Sequence, residues 1–463
     1  MKKLSLRALA CLSVAVVLSA AHAQQTPPPP GPPRPFTVPT PATVTLANGL
    51  KATFIDFGSV PKVTIAICVR VGALNDGERT WLSDLTAELM KEGTESKTAE
   101  QLADAAAAMG GEVSIGVGAD ETMLSLDVLS EFGPEAVALL SEILTHPRLP
   151  ESELPRIQAN FVRNLSVQLA TPQAQAAAAF SALLFPNHPY GRVFPTPQQL
   201  QSYSIEDVRD FHARNFGAQR TRIYVAGKFD RASVENAVRR HLGGWHEGPG
   251  PLQLSSPAPG EPVTTLIDRP DAPQSTLRIG ARVIDPTHPQ FMALSVTNTL
   301  LGGVLTSRIT MNLREDKGWA YSPNSSLGAY YRHAVWAEQA DVKAESTGPA
   351  LQEIYAEIGR LQREPPSGEE LTAIKNYRNG IFVMSNASRS GLIGQLAFMD
   401  LHGLPADWLT TFVERLYAVM PEQISQAARE HLDPKQLSVV VVGDMSTVRP
   451  QLSGVSQLPG IGP

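Results

Sequence analysis

The sequence predicts an α+β fold of two homologous domains, each a mixed or antiparallel β-sheet with helices packed on one face. Two observations support this prediction. The chain has 463 residues, which is too long for a single hydrophobic core. The order of strand-like and helix-like segments in the first half is also repeated in the second half, with a period of roughly 215 residues.

The first half opens with strand-like segments. Residues 43–46 and 51–55 flank Asn48-Gly49, a dipeptide that is typical of tight β-hairpins. A longer apolar run at 63–71 is a third strand, and 222–227 is a strand that ends at a glycine. Between them, helices are predicted at 82–91, 99–109, 134–144 and 151–169, with a strand pair at 112–129.

The second half repeats this order. Strands are predicted at 264–267 and 275–283, a helix at 289–301, and a strand at 437–444 that matches 222–227. The long helices also correspond, because Pro-Glu-Ser-Glu-Leu opens one and Pro-Ser-Gly-Glu-Glu-Leu opens the other. The predicted domains are residues 42–246 and 263–450, joined by a Pro- and Gly-rich linker at 247–262 and followed by a tail at 451–463.

The N-terminus has the pattern of a secretory signal peptide. Residues 1–23 combine a basic start, an apolar run and small residues before Gln24. The apolar run at 8–20 is too short to span a membrane stably. Residues 24–41 are rich in proline and are predicted to form a stiff leader. We therefore expect a secreted, periplasmic protein without a membrane span.

Charge and cysteine content argue against a nucleic-acid-binding protein and against a scaffold held by internal disulfides. The formal net charge is −6, and the predicted signal carries basic but no acidic residues, so removing it leaves a more acidic chain. Such a surface does not favour nucleic acid. Cys68 is the cysteine that remains after the signal, so no internal disulfide is predicted. Its apolar surroundings predict that it is buried.

The most informative stretch is 308–322, RITMNLREDKGWAYS. Gly318 is predicted to end a helix and a strand to begin near Trp319, which places Arg314 in the last helical turn and Tyr321 on the strand. A guanidinium and a phenol at this spacing can reach one side of a cleft and hydrogen-bond a peptide carbonyl. Alternatively, Arg314 complements the helix dipole, and Tyr321 is a strand aromatic with its hydroxyl in water.

Histidine spacing does not provide a zinc site. No two histidines of the mature sequence lie three or four residues apart, so no helix face offers a pair of imidazoles. A zinc hydrolase needs about three protein ligands and one open position. The usual set of ligands is therefore absent from this sequence.

Several motifs occur in an order that resembles one peptidase family. They are the Asn48-Gly49-Leu50 hairpin, the helix that ends at Gly93-Thr94, His188-Pro-Tyr-Gly, the terminal strands of each half, and the 313–321 stretch. Together they resemble the pitrilysin/insulinase family of zinc metallopeptidases, the inverzincins. The similarity is to its two-domain members, which include the mitochondrial processing peptidase and bacterial heterodimeric enzymes.

The resemblance implies where a zinc motif belongs. Family catalytic subunits carry H-x-x-E-H on the helix that ends at Gly-Thr, and its positions fall here on Asp84, Ala87 and Glu88. The third ligand of the family, a glutamate near 163–165, is also missing. Asp84 and Glu88 share a helix face and could meet a hard cation, but a solvated or cleft-facing acidic face is the favoured interpretation.

The resemblance also implies a role for Arg314 and Tyr321, whose counterparts in the family hold the substrate backbone at the scissile bond. It predicts a non-catalytic, substrate-binding subunit of a secreted heterodimeric zinc metalloendopeptidase that acts on peptides. No cofactor is expected in this chain, and zinc is expected in a paralogous partner subunit. One alternative is a partner-free peptide-binding or scaffolding protein of the same fold. The least favoured is a self-sufficient hydrolase that uses Asp84 and Glu88.

Overall fold

Two β-sheets, one in each half of the chain, form the framework of the fold. The computed structural model describes residues 36–254 and 258–460. The predicted signal peptide, most of the proline-rich leader, and small parts of the linker and tail lie outside the described residues. The strands are β1 (Ala42–Thr45), β2 (Lys51–Asp56), β3 (Lys62–Val69), β4 (Ser114–Val117), β5 (Thr122–Leu129), β6 (Thr221–Gly227), β7 (Thr264–Asp268), β8 (Gln274–Val283), β9 (Asn324–Tyr330), β10 (His333–Lys343) and β11 (Ser438–Gly443).

The two sheets share one topology. The first has the strand order β1-β2-β6-β3-β5-β4 and the second has the order β7-β11-β8-β10-β9. Without β1, the first sheet matches the second strand for strand. Pairing directions match as well, because β2 with β6 and β7 with β11 are parallel while the neighbouring pairs are antiparallel. The predicted α+β class with two mixed sheets is confirmed.

Helices fill the connections between the strands. In the first half they are α1 (Leu82–Met90), α2 (Ala99–Ala108), α3 (Gly133–Thr145), α4 (Leu154–Leu169), α5 (Pro172–Leu184), α6 (Pro197–Ser202), α7 (Ile205–Asn215) and α8 (Arg231–Leu242). In the second half they are α9 (Phe291–Leu301), α10 (Arg308–Thr310), α11 (Thr347–Arg363), α12 (Gly368–Ser385), α13 (Arg389–His402), α14 (Phe412–Tyr417), α15 (Pro421–His431) and α16 (Met445–Leu452). No helix among the described residues is long and apolar enough to cross a membrane.

The first hairpin forms where its turn dipeptide predicts. Strands β1 and β2 pair antiparallel around Gly49, whose φ of 87° suits a residue without a Cβ. The side-chain amide of Asn48 donates to the carbonyls of Leu242 and Trp245, at 2.8 and 2.9 Å. The turn residue therefore also ties the hairpin to the end of α8.

Each half covers one face of its sheet with its own helices, as predicted, and the other half covers the opposite face. Phe180 of α5 shares a buried apolar cluster with Val440 of β11, and Leu392 of α13 shares one with Tyr224 of β6. Tyr224 also donates a hydrogen bond to Asp400 of α13. Helix α5 thus packs on the sheet of the second half and α13 on the sheet of the first. Because burying a large apolar side chain stabilises the folded state by about 1.5–3 kcal/mol, this exchange of helices holds the two halves together.

Candidate functional site

The segment that carries Arg314 is a short helix of mixed type. After α10, the chain continues as a π-helix over Met311–Asp316, and Gly318, with a φ of 62°, ends it. The predicted helix end at Gly318 is therefore correct. The predicted position of Arg314 in the last helical turn is also correct, and the backbone there follows the wider π pattern, which is common at functional sites.

Tyr321 does not lie on a strand, contrary to the sequence prediction. Strand β9 begins at Asn324, and only Ala320 reaches the second sheet, in an isolated bridge to Val342. The reason is local. The amides of Trp319 and Ala320 both donate to the carbonyl of Leu313, at 2.9 and 3.2 Å, so the chain folds back on the helix end before it can join the sheet.

The structure nevertheless places Arg314 and Tyr321 side by side. The Cζ atom of Arg314 lies 4.9 Å from the centroid of the Tyr321 ring, which is a cation–π contact. Tyr321 is 77% exposed, and Arg314 Nε lies 3.1 Å from Glu315 Oε1. Within the part of the chain that the structure describes, no other hydrogen bond engages either side chain. The guanidinium edge and the phenol hydroxyl are thus available to an acceptor such as a peptide carbonyl.

A polar network made by other residues of the same segment holds the π-helix against α11. The side-chain amide of Asn312 donates to Glu353 and Glu357, at 2.9 and 3.0 Å, and Lys317 Nζ lies 3.1 Å from Glu353 Oε1. Burial alone raises the pKa of Glu353, but the bonds from Asn312 and Lys317 outweigh burial and lower it. Glu353 and Glu357 could not be predicted as part of the site, since they come from a helix about 40 positions away and no local pattern marks them.

A second ion pair fixes the start of the same segment. Arg308 donates two hydrogen bonds to the carboxylate of Glu370 on α12, both 2.8 Å long. These bonds lower the pKa of Glu370. Because the paired fork of a guanidinium and a carboxylate is geometrically specific, α10 has a defined position on α12.

The residues at the zinc-motif positions of α1 do not fit a zinc ion. Ala87 is buried and has no donor atom, and Glu88 Oε1 is paired with Lys91 Nζ at 2.6 Å. Burial, together with the charge of Glu88, raises the pKa of Asp84 to about 6. No group of three or more His, Cys, Asp or Glu side chains suited to a metal occurs among residues 36–254 and 258–460.

The later helix does not complete such a site either. On α4, Leu165 is fully buried in the apolar core of the first half, and Arg163 is exposed and donates to Asn160 Oδ1 at 3.0 Å. The position that would supply a third carboxylate therefore carries packing and surface residues. A tetrahedral site with three protein ligands cannot be assembled from α1 and this part of α4.

His188 and Cys68 occupy structural positions. His188 is 2% exposed, and its Nδ1 accepts the amide of Tyr190 at 3.2 Å. Burial lowers the pKa of His188 to about 4, so the ring is neutral at pH 7. Cys68 is buried and free, as predicted.

Comparison with family models assigns both halves of the chain. Residues 57–197 match the model described as Insulinase (Peptidase family M16). Residues 202–377 match the model described as Peptidase M16 inactive domain. The chain belongs to the M16, or insulinase, family of peptidases. The description of the second model, together with Asp84, Ala87 and Glu88 at the zinc-motif positions, supports an inactive member of the M16 family.

Curated relatives of this M16 protein are similar over nearly their whole length. An uncharacterized zinc protease of Mycobacterium bovis is 24% identical over 428 residues, which are 91% of this chain and 97% of the relative. An uncharacterized zinc protease of Bacillus subtilis is 22% identical, over 83% of this chain and 94% of its own. The similarity therefore spans both halves.

Solved structures share the fold of this M16 protein. A peptidase M16 inactive domain from Pseudomonas fluorescens superimposes with a TM-score of 0.80 and 23% identity, covering 87% of this chain and 98% of its own. A protease from Helicobacter pylori also scores 0.80, with 18% identity and coverage of 88% and 100%. The periplasmic protease PqqL of Escherichia coli scores 0.77 at 15% identity, over 91% of this chain and 47% of that longer one.

Proposed function

We propose that this M16 protein is the non-catalytic, substrate-binding subunit of a secreted heterodimeric zinc metalloendopeptidase that acts on peptides. The observation that carries the proposal is the contrast within the chain. Arg314 and Tyr321 lie together, Tyr321 being exposed and Arg314 half-buried with its Nε paired to Glu315, whereas the zinc positions of α1 carry Asp84, Ala87 and Glu88. The zinc chemistry is assigned to a paralogous partner subunit, and no step of it to this chain.

The physical task of the pair is to orient a peptide carbonyl. A guanidinium donates charge-assisted hydrogen bonds, which are roughly twice as strong as neutral ones, and the phenol adds a second donor nearby. Donors that are fixed in advance stabilise the negative charge that develops on a carbonyl oxygen during attack. The ion pairs around Asn312 and Arg308 supply that fixation.

The periplasm is the proposed location. The signal-like pattern of residues 1–23 supports export, and the shared fold with a periplasmic protease is consistent with it. Cys68 is buried and free, so nothing in the proposal depends on a disulfide.

The test is purification of the tagged full-length chain from its native envelope fraction, followed by mass spectrometry of the proteins that accompany it. We expect a stoichiometric paralogue that carries H-x-x-E-H, and peptidase activity in the complex that the isolated chain lacks. A chain that purifies alone, with bound peptides, would overturn the heterodimer and favour a partner-free peptide-binding protein. A tagged periplasmic protein of unrelated fold is the control for non-specific capture.

A further inference from the structure

Glu338 is a buried carboxyl group without an evident structural partner. It lies in β10 with 0% exposure, and among the described residues no side chain donates a hydrogen bond to either of its carboxyl oxygens. Burial raises its pKa well above the usual value, and the amide of Asn324 offsets this only in part. A buried carboxyl in such surroundings is held in its neutral form.

The position of Glu338 is unusual because the two ends of one segment meet beside it. A Cβ atom placed on Gly302 would lie 2.5 Å from Glu338 Oε2 and 2.6 Å from Ser325 Oγ. The amide of Ser325 donates to the carbonyl of Gly302 at 2.9 Å, and its hydroxyl donates to the carbonyl of Asn298 at 3.1 Å. Glu338 thus occupies the space that the glycine leaves open.

The segment between these ends is the one that bears the proposed substrate pair. It leaves α9 at Gly302, contains α10 and the π-helix, and enters β9 at Asn324. Arg314 and Tyr321 lie in its middle. A change in the spacing of the two ends would be passed to the pair, and a displacement of about 1 Å at a reacting group is enough to cost a large part of its effect.

We propose that Glu338 is a positioning residue for Arg314 and Tyr321, and that its side chain sets the spacing of the two ends of segment 302–324. The effect of Glu338 on peptide binding rests on the proposed function. Its effect on the position of segment 302–324 does not. Ionised Glu338 would need a counter-charge, and no charged side chain among the described residues pairs with it, so ionisation loosens the base of the segment.

No charged side chain on the surrounding elements shifts the pKa of Glu338, although Nε of Arg278 and Nε of Arg378 lack hydrogen-bond partners among the described residues. Arg378 of α12 donates to Thr299 Oγ1 at 2.8 Å, and Arg278 of β8 donates to Gln339 at 2.9 Å. Glu357 of α11 is paired with Arg360 at 2.9 Å. Strand β9 and helix α9 contain no charged residue. Loss of the proton from Glu338 would therefore meet no ready counter-charge.

The experiment compares amide hydrogen exchange of segment 302–324 in the full-length wild type, Glu338→Gln and Glu338→Ala. Glutamine keeps the shape and cannot ionise, whereas alanine empties the space. We expect alanine to accelerate exchange in this segment at least about tenfold, and glutamine to keep wild-type protection. As the pH is raised above the usual range of a carboxyl group, protection of the wild type should fall after correction for intrinsic exchange, while that of the glutamine variant stays constant.

Gly302→Ala provides a second route to the same result, because its new methyl group would collide with Oε2. A matched control is Glu345→Gln, a change at an exposed carboxyl just beyond β10. Unchanged exchange in folded Glu338→Ala, or a glutamine variant that behaves like alanine, would overturn the inference. If exchange responds as expected but wild type binds no peptide in the purified complex, the positioning role stands and the proposed function fails.

Discussion

Helix α1 and the segment of Arg314 are the two places where the family resemblance implies chemistry, and they differ in how their polar groups are held. On α1, Asp84 is mostly buried and Glu88 is bound to a neighbouring lysine. In the second half, partly buried ion pairs and hydrogen bonds support the π-helix, while Arg314 is half-buried and Tyr321 is exposed to solvent. The comparison indicates that the two halves share a fold but hold their polar groups in different ways.

The largest effect is expected from Arg314→Ala. It removes the charged donor of the pair, and a lost charge-assisted hydrogen bond at a reacting carbonyl costs about 1.5–3 kcal/mol, or roughly 10- to 150-fold in kcat/KM of the complex. Arg214→Ala is a matched control, because Arg214 is an exposed arginine whose ion pair lies on α7. Full activity of Arg314→Ala in an intact heterodimer would remove the pair from the function.

The second-largest effect is expected from Glu353→Ala, which weakens the attachment of the π-helix to α11. Glu353→Ala removes the acceptor shared by Asn312 and Lys317, so the π-helix loses one of its attachments to α11. We expect kcat/KM to fall about tenfold and the free energy of unfolding to fall by about 1–2 kcal/mol. Both can be measured on the same preparation, by peptide cleavage and by urea denaturation. If stability falls while cleavage is unchanged, the network serves the fold alone.

Tyr321→Phe should have a smaller effect. The ring remains beside Arg314, and only the hydroxyl is lost, so a neutral hydrogen bond of about 0.5–1.5 kcal/mol is removed. This corresponds to a reduction of about two- to tenfold in kcat/KM, with no change in stability because Tyr321 is 77% exposed. Tyr377→Phe, on the exposed face of α12, is the control. Equal rates for Tyr321→Phe and wild type would leave the guanidinium as the only contributor.

More of the fold than of the candidate site could be predicted from the sequence. Asn48-Gly49 determines the first hairpin locally, and the repeated order of segments predicts two sheets that do share one topology. The exchange of α5 and α13 between halves was not predictable, because the apolar run of β11 indicates two buried faces without saying what covers them.

At the site, the sequence alone identifies Arg314 and Tyr321, but it does not show which residues hold their segment in place. The pairing of Arg314 with Tyr321 follows from a seven-residue spacing and one turn, but a π-helix has no sequence period that marks it. Strand β9 begins late because backbone amides after Gly318 already have an acceptor in Leu313, which is a matter of geometry rather than of residue preference. Glu353 and Glu338 come from distant elements, so only the folded chain shows what they contact.

The smallest effect is expected from Asp84→Asn on α1, the helix that carries the zinc-motif positions. The pKa of Asp84 is raised from 3.8 to about 6, so its carboxyl destabilises the folded state once it must ionise. This loss of stability is absent at pH values below the pKa of Asp84 in the unfolded chain. It grows as the pH rises towards about 6 and is constant above that pH. Asp84→Asn should therefore be more stable than wild type by about 1 kcal/mol at pH 8, with the difference narrowing towards pH 4 in urea titrations. Cleavage by the complex should be unchanged. Loss of activity in Asp84→Asn would show that α1 still contributes to the chemistry and would end the contrast between the two halves.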